Sequence, residues 1–198
     1  GWGYGEFELD VRSQAYLETA MPSIGDPLAR GVGWSALWDA MLGGRMAPGR
    51  WYDMAVLNLR AERDVQLIGE WLDDLNIVWW RFLTPAQRAE RASDLEALLR
   101  GRLDAATEPG LKSAWFAALR NVATTPETVA WLRALWQREA TIAGLPLVEA
   151  DETALAYALA VRSVEGEQRL LDAQRDRISN PDRKARFEFV RGAASADA

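Results

Sequence analysis

The sequence predicts an all-α protein of stacked antiparallel helix pairs, forming a HEAT- or armadillo-like right-handed superhelix (α-solenoid). Three observations predict it. A capping residue followed by proline recurs along the chain, as in Asp26-Pro27, Thr84-Pro85, Thr125-Pro126 and Asn180-Pro181. Between these points the apolar residues keep helical spacing. Comparable starts also return at similar intervals: Asp26 to Asp64 is 38 residues, Thr84 to Thr125 is 41 and Thr125 to Glu165 is 40. Helix pairs repeating at about 40 residues are the HEAT and armadillo pattern.

Each element has its own signal. The opening Gly3-Tyr4-Gly5-Glu6-Phe7-Glu8-Leu9-Asp10 alternates apolar with small or polar residues and predicts a short strand or extended lead-in over 1–12. The helical-repeat domain then runs over 13–198. Helices are expected at 13–21, 27–43, 48–60, 65–83, 85–101, 109–122, 126–143, 151–163, 165–178 and 181–192. Proline suits the first helical position because its missing N–H would have no intrahelical partner there. Ala47-Pro48 is a weaker start, because alanine has no capping oxygen. Thr84-Pro85-Ala86-Gln87 fits a capping box, and Asp64 and Asp151 are expected to cap without proline. Gly43-Gly44, Gly110 and Gly144 fall in the breaks.

Within the second helix, Leu28, Val32, Trp34, Leu37, Trp38, Met41 and Leu42 read as one broad apolar stripe. In the seventh, Val129, Leu132, Leu135 and Trp136 do the same, with Arg133, Arg138 and Glu139 opposite. The ten tryptophans are expected to pack between helices. Trp79 and Trp80 are adjacent, so a helix sends them to different sides.

Composition narrows the chemistry. The 198 residues contain no cysteine and no histidine. That removes thiolate nucleophiles, Ser-His-Asp triads, the H-E-x-x-H zinc motif and Cys-based metal sites. Carboxylates remain, and some enzymes work with carboxylates alone. Asp73-Asp74 is one adjacent carboxylate pair, but neighbours on a helix diverge by about 100° and are poorly placed to share a proton or clasp a metal ion. Asp39 and Asp53 lie near tryptophans in sequence, where partial burial is open to them, and each is expected to pair with an arginine or to stay solvated rather than to catalyse. No catalytic, cofactor-binding or metal-binding residue is assigned. The net charge of −6 argues against nucleic acid. Every apolar run is far shorter than the ~20 residues of a membrane span.

Three patches carry a family resemblance. Gly1-Trp2-Gly3-Tyr4-Gly5-Glu6-Phe7-Glu8-Leu9-Asp10 resembles the junction out of the small β-domain in zinc aminopeptidases of the membrane alanyl aminopeptidase family. Asp26-Pro27-Leu28-Ala29-Arg30 and Leu37-Trp38-Asp39-Ala40-Met41-Leu42-Gly43-Gly44-Arg45 are similar to the opening helices of that family's C-terminal domain. Ile178-Ser179-Asn180-Pro181-Asp182-Arg183-Lys184-Ala185-Arg186-Phe187-Glu188-Phe189-Val190 looks like a late segment of bacterial members. The resemblance implies a helical domain that walls the substrate chamber of a parent enzyme removing N-terminal residues from peptides. Zinc would sit in the parent's catalytic domain, and the partners would be that domain and the β-domain in cis, with peptide as the parent's substrate. It implies a chain cut from a longer protein, so its compartment, cytoplasmic or periplasmic, stays open. The residues alone leave two other readings: a free-standing helical-repeat scaffold that binds a protein or peptide, and a carboxylate-only enzyme.

Overall fold

The computed structural model describes residues 8–162 and 166–194. Most of the expected lead-in, and the last four residues, lie outside them; Glu8 and Leu9 belong to no helix or strand. Ten α-helices follow: α1 (Val11–Ala20), α2 (Pro27–Leu42), α3 (Pro48–Ala61), α4 (Val65–Arg81), α5 (Pro85–Ala105), α6 (Pro109–Val122), α7 (Pro126–Trp136), α8 (Glu149–Ala160), α9 (Glu167–Arg177) and α10 (Pro181–Arg191). Short 3-10 turns occupy Met21–Ser23 and Gly192–Ala194. No strand occurs among the described residues; Ile142 and Leu145 make one isolated bridge. The chain is all-α and its helices pack in successive pairs, α2 on α3, α3 on α4, α7 on α8 and α8 on α9.

The caps follow the sequence. Asp26 accepts from Leu28 N (3.0 Å), Thr125 from Thr128 N (3.3 Å) and Asn180 from Arg183 N (3.0 Å). Thr84 and Gln87 complete the capping box: Gln87 N donates to Thr84 Oγ1 at 3.3 Å, and Thr84 N to Gln87 Oε1 at 2.9 Å. Asp64 caps α4 through Gln66 N and Leu67 N. Ala47 gives α3 no side-chain cap. Asp151 corrects its expectation. It sits inside α8, where its carboxylate accepts from Val148 N (3.0 Å), so the helix starts two residues early, at Glu149.

The second correction is the end of α7. The apolar pattern predicted helix to 143, and the helix stops at Trp136. Arg138 there adopts a left-handed φ of 64°. Its N–H donates to Leu135 O (3.0 Å) and Glu139 N to Ala134 O (2.9 Å), the paired closure of a Schellman turn. Glycine would normally take that position; α2 ends the same way on Gly44, with φ of 73°. Arg138 is held in it by two contacts to the Glu152 carboxylate, at 2.7 and 3.0 Å.

The chain divides into two compact units, Gly1–Leu98 and Leu99–Ala198. The first has a tryptophan core. Trp34 stacks on Trp71, with centroids 4.3 Å apart and planes 10° from parallel. Trp51 meets Trp34 edge-on at 4.9 Å and Trp38 at 5.2 Å. Trp79 is buried and packs on Tyr52, while Trp80 is 42% exposed with Arg88 over its ring. The split between those two neighbours is the one their spacing required.

Polar side chains link the helices of the second unit. Gln174, fully buried, accepts from Trp136 Nε1 (2.8 Å) and donates to Thr153 Oγ1 (3.1 Å). Arg162 reaches the last carbonyls of α6: it donates to Arg120 O (3.0 Å), Asn121 O (2.8 Å) and Ala123 O, and also to Ala158 O. Terminal helix carbonyls have no intrahelical donor, so this guanidinium satisfies several at once. Arg162→Ala should therefore destabilise the unit by about 2 kcal/mol. Urea unfolding followed by far-UV circular dichroism would measure it, and an unchanged midpoint would show the carbonyls are equally well served by solvent.

Candidate functional site

With imidazole and thiol absent, the carboxylates are the main groups left for chemistry. Asp73 is exposed, whereas Asp74 is half-buried and accepts a hydrogen bond from Trp34 Nε1 (2.8 Å). The two do not converge, as the helix geometry required. Burial raises the Asp74 carboxyl above its ordinary value; the Trp34 N–H opposes this, and the charges of Glu70 and Asp73 add to it. Asp39 and Asp53, expected to pair with an arginine or to stay solvated, are both exposed. Around its helix Asp53 projects about 160° from Trp51, whereas Asp39 projects about 100° from Trp38. Asp53 stands 3.6 Å from Arg91.

Asp74→Asn keeps an acceptor for Trp34 and removes a charge that its surroundings disfavour. It should raise stability by about 0.5–1 kcal/mol at neutral pH. The gain should shrink as pH falls, because the parent carboxyl then takes up its proton in the folded state. A melting temperature below the parent's at pH 7 would count against this reading.

Three of the buried carboxylates, Glu18, Glu62 and Glu152, are tied to arginine. Glu62 accepts from Arg30 Nε and Nη2, both at 2.7 Å, and from the backbone N–H groups of Arg63 and Asp64, both at 2.8 Å. Glu18 pairs with Arg50 at 2.5 Å, and Glu152 with Arg138 and Arg177 at 2.7 and 3.7 Å. Tyr52 is no better a base: burial pushes its phenol up to about 12, and the nearby Arg91 offsets this only in part.

Zinc has no fitting donors here. The chain offers neither imidazole nor thiolate, and among the described residues no three Asp or Glu side chains stand where they could hold a metal ion. No helix of the described residues is long and apolar enough to cross a membrane.

What the first unit does present is a groove of about 770 Å³ between α2 and α4. Pro27, Leu28, Gly31 and Val32 line it from α2, and Leu67 from α4. Leu28 is 74% exposed and Val32 is 63% exposed. Leu67 lies close over the α2 backbone: a Cβ added at Gly31 would come within 3.2 Å of Leu67 Cδ2. Asp39, Asp64 and Glu70 stand among the lining residues, and no Lys or Arg does.

No family model matches the chain, and no curated protein matches it.

The groove does not follow from the apolar pattern alone, which puts Leu28 and Val32 in one stripe with Trp34, Leu37 and Met41. At about 100° per residue, Leu28, Val32 and Leu42 project from one side of α2, and Leu37, Met41 and Trp34 from the other. Leu37, Met41 and Trp34 are buried, whereas Leu42 is exposed like Leu28 and Val32. The signal was present as an apolar pattern too wide for one face.

Proposed function

We propose that this chain is a non-catalytic helical domain of a zinc-dependent aminopeptidase. It would wall and gate the substrate chamber of a parent enzyme that removes N-terminal residues from peptides. The family resemblance of the three sequence patches motivates the reading. The observation that carries its non-catalytic part is the state of the acids. Glu18, Glu62 and Glu152 are each spent on an arginine, in a chain with no imidazole or thiol. Such pairs tie distant parts of the chain together and occupy these three carboxylates structurally. A wall of this kind acts by closure rather than by chemistry.

The test is to read the coding sequence upstream of Gly1 and to assay the 198-residue chain for release of N-terminal amino acids from peptides. The expected results are an upstream H-E-x-x-H helix with a downstream Glu, and no turnover by the isolated chain. Lack of a zinc-binding helix in the preceding several hundred residues would sink the reading. Chelator-sensitive peptide cleavage by the isolated chain would also sink it.

The exposed apolar groove favours a second reading, a free-standing helical-repeat scaffold for a protein or peptide. Recovery of a stable complex with the native gene product, encoded without a catalytic domain, would select it.

A further inference from the structure

We propose that the α2/α4 groove is a docking site for a cationic amphipathic helix. Its apolar side chains would fill the space over Leu28, Val32 and Leu67, and its Lys or Arg residues would meet Asp39, Asp64 and Glu70. The inference stands apart from the aminopeptidase reading and holds whether the partner lies in the same polypeptide or in another.

Two side chains of α2 carry the apolar half. Leu28 and Val32 are one helical turn apart and more than half exposed, while Trp34 and Leu37 on the other side of the same helix are buried. A helix segment that leaves such a pair in water gains by covering it. The groove's volume, about 770 Å³, lies within the roughly 300–1,000 Å³ of ordinary ligand pockets. A floor between two helices is the shape that accepts a third, with anchors spaced at i, i+3 or i+4 and i+7.

Charge selects the occupant. The three ionisable residues of the lining are all acids, in a chain of net charge −6. Asp39 and Glu70 are exposed, and among the described residues neither makes an ion pair or side-chain hydrogen bond. Asp64 spends one oxygen on the α4 cap. A neutral or acidic segment would leave these carboxylates unpaired as it removed their water, whereas a basic one compensates them. The same acids disfavour a second copy of this acidic chain.

The probe is a fluorescein-labelled Leu/Lys amphipathic peptide of about 18 residues, roughly five helical turns. It is titrated with the full 198-residue chain and read by fluorescence anisotropy at low salt. Saturable one-to-one binding is expected. The double variants Leu28→Asn/Val32→Asn and Asp39→Asn/Glu70→Gln should each weaken it at least about tenfold. Asp94→Asn/Glu139→Gln, which removes the same charge from exposed positions elsewhere, should change it less than about twofold. All four positions of the groove variants are exposed, and unchanged melting curves would confirm intact folding. Absence of saturable binding overturns the proposal. So does equal binding of the Leu/Glu counterpart peptide, or equal loss in the control pair. Dimerisation of the chain that Leu28→Asn/Val32→Asn abolishes would assign the groove to a second copy instead. None of these outcomes bears on the upstream zinc motif, so the two ideas fail separately.

Discussion

Arg30→Ala is expected to destabilise the N-terminal unit by about 3–5 kcal/mol, the cost of leaving a buried carboxylate without its cation. Glu62 is almost wholly inaccessible, and its two strongest contacts are the paired N–H groups of Arg30. The same arginine also donates to Ile24 O (2.8 Å) and Gly25 O (3.2 Å), so its loss frees the turn before α2 as well. The direction with pH follows from Glu62. Desolvation alone would raise its carboxyl, but Arg30 and the backbone N–H groups of Asp64 and Arg63 outweigh that, and the folded value lies below the ordinary 4.5. A carboxyl depressed on folding contributes stability that is present above 4.5 and is lost as pH falls through the folded value. The gap between parent and variant should therefore be widest near neutral pH and should narrow below about 4.5. Urea titrations of both proteins at several pH values would test this. A gap that does not change with pH would mean that Arg30 acts through packing rather than through the charge of Glu62.

Trp71→Ala should cost a similar amount, about 3–5 kcal/mol, for a different reason. Trp71 is fully buried and lies face to face with Trp34, which in turn abuts Trp51. Truncation opens a cavity at the centre of a rigid aromatic group, where neighbours cannot collapse without leaving their own contacts. The indole N–H of Trp71 meets no acceptor among the protein atoms, so Trp71→Phe gives up no hydrogen bond and should be much milder. Trp34→Phe differs again, because it removes the donor to Asp74. An order of severity with Trp71→Phe as damaging as Trp71→Ala would show that packing volume is not what the site depends on.

Much of the fold was legible because it rests on local chemistry. A threonine, aspartate or asparagine before proline leaves few alternatives to a helix start, and α2, α5, α7 and α10 begin where those pairs stand. The failures were long-range. Nothing near Arg138 announces a left-handed turn; it depends on Glu152, fourteen residues further on. Asp151 looks like a cap from its neighbours, yet its carboxylate serves Val148 instead. The groove was half legible: the apolar residues of α2 were visible, but which side faced solvent depended on where α1, α3 and α4 packed. The carboxylate bookkeeping was out of reach for the same reason, since Arg30 and Glu62 lie 32 positions apart in the chain.

The tryptophans also make the protein report on itself. Trp34, Trp38, Trp51, Trp71, Trp79 and Trp80 fall in the first unit, whereas Trp115, Trp131 and Trp136 fall in the second. Intrinsic emission is therefore weighted towards the first unit, while peptide-bond dichroism samples helices throughout. Denaturation followed by both signals can resolve whether the chain melts in one transition or two: superimposed curves indicate a single cooperative block, and displaced curves indicate two.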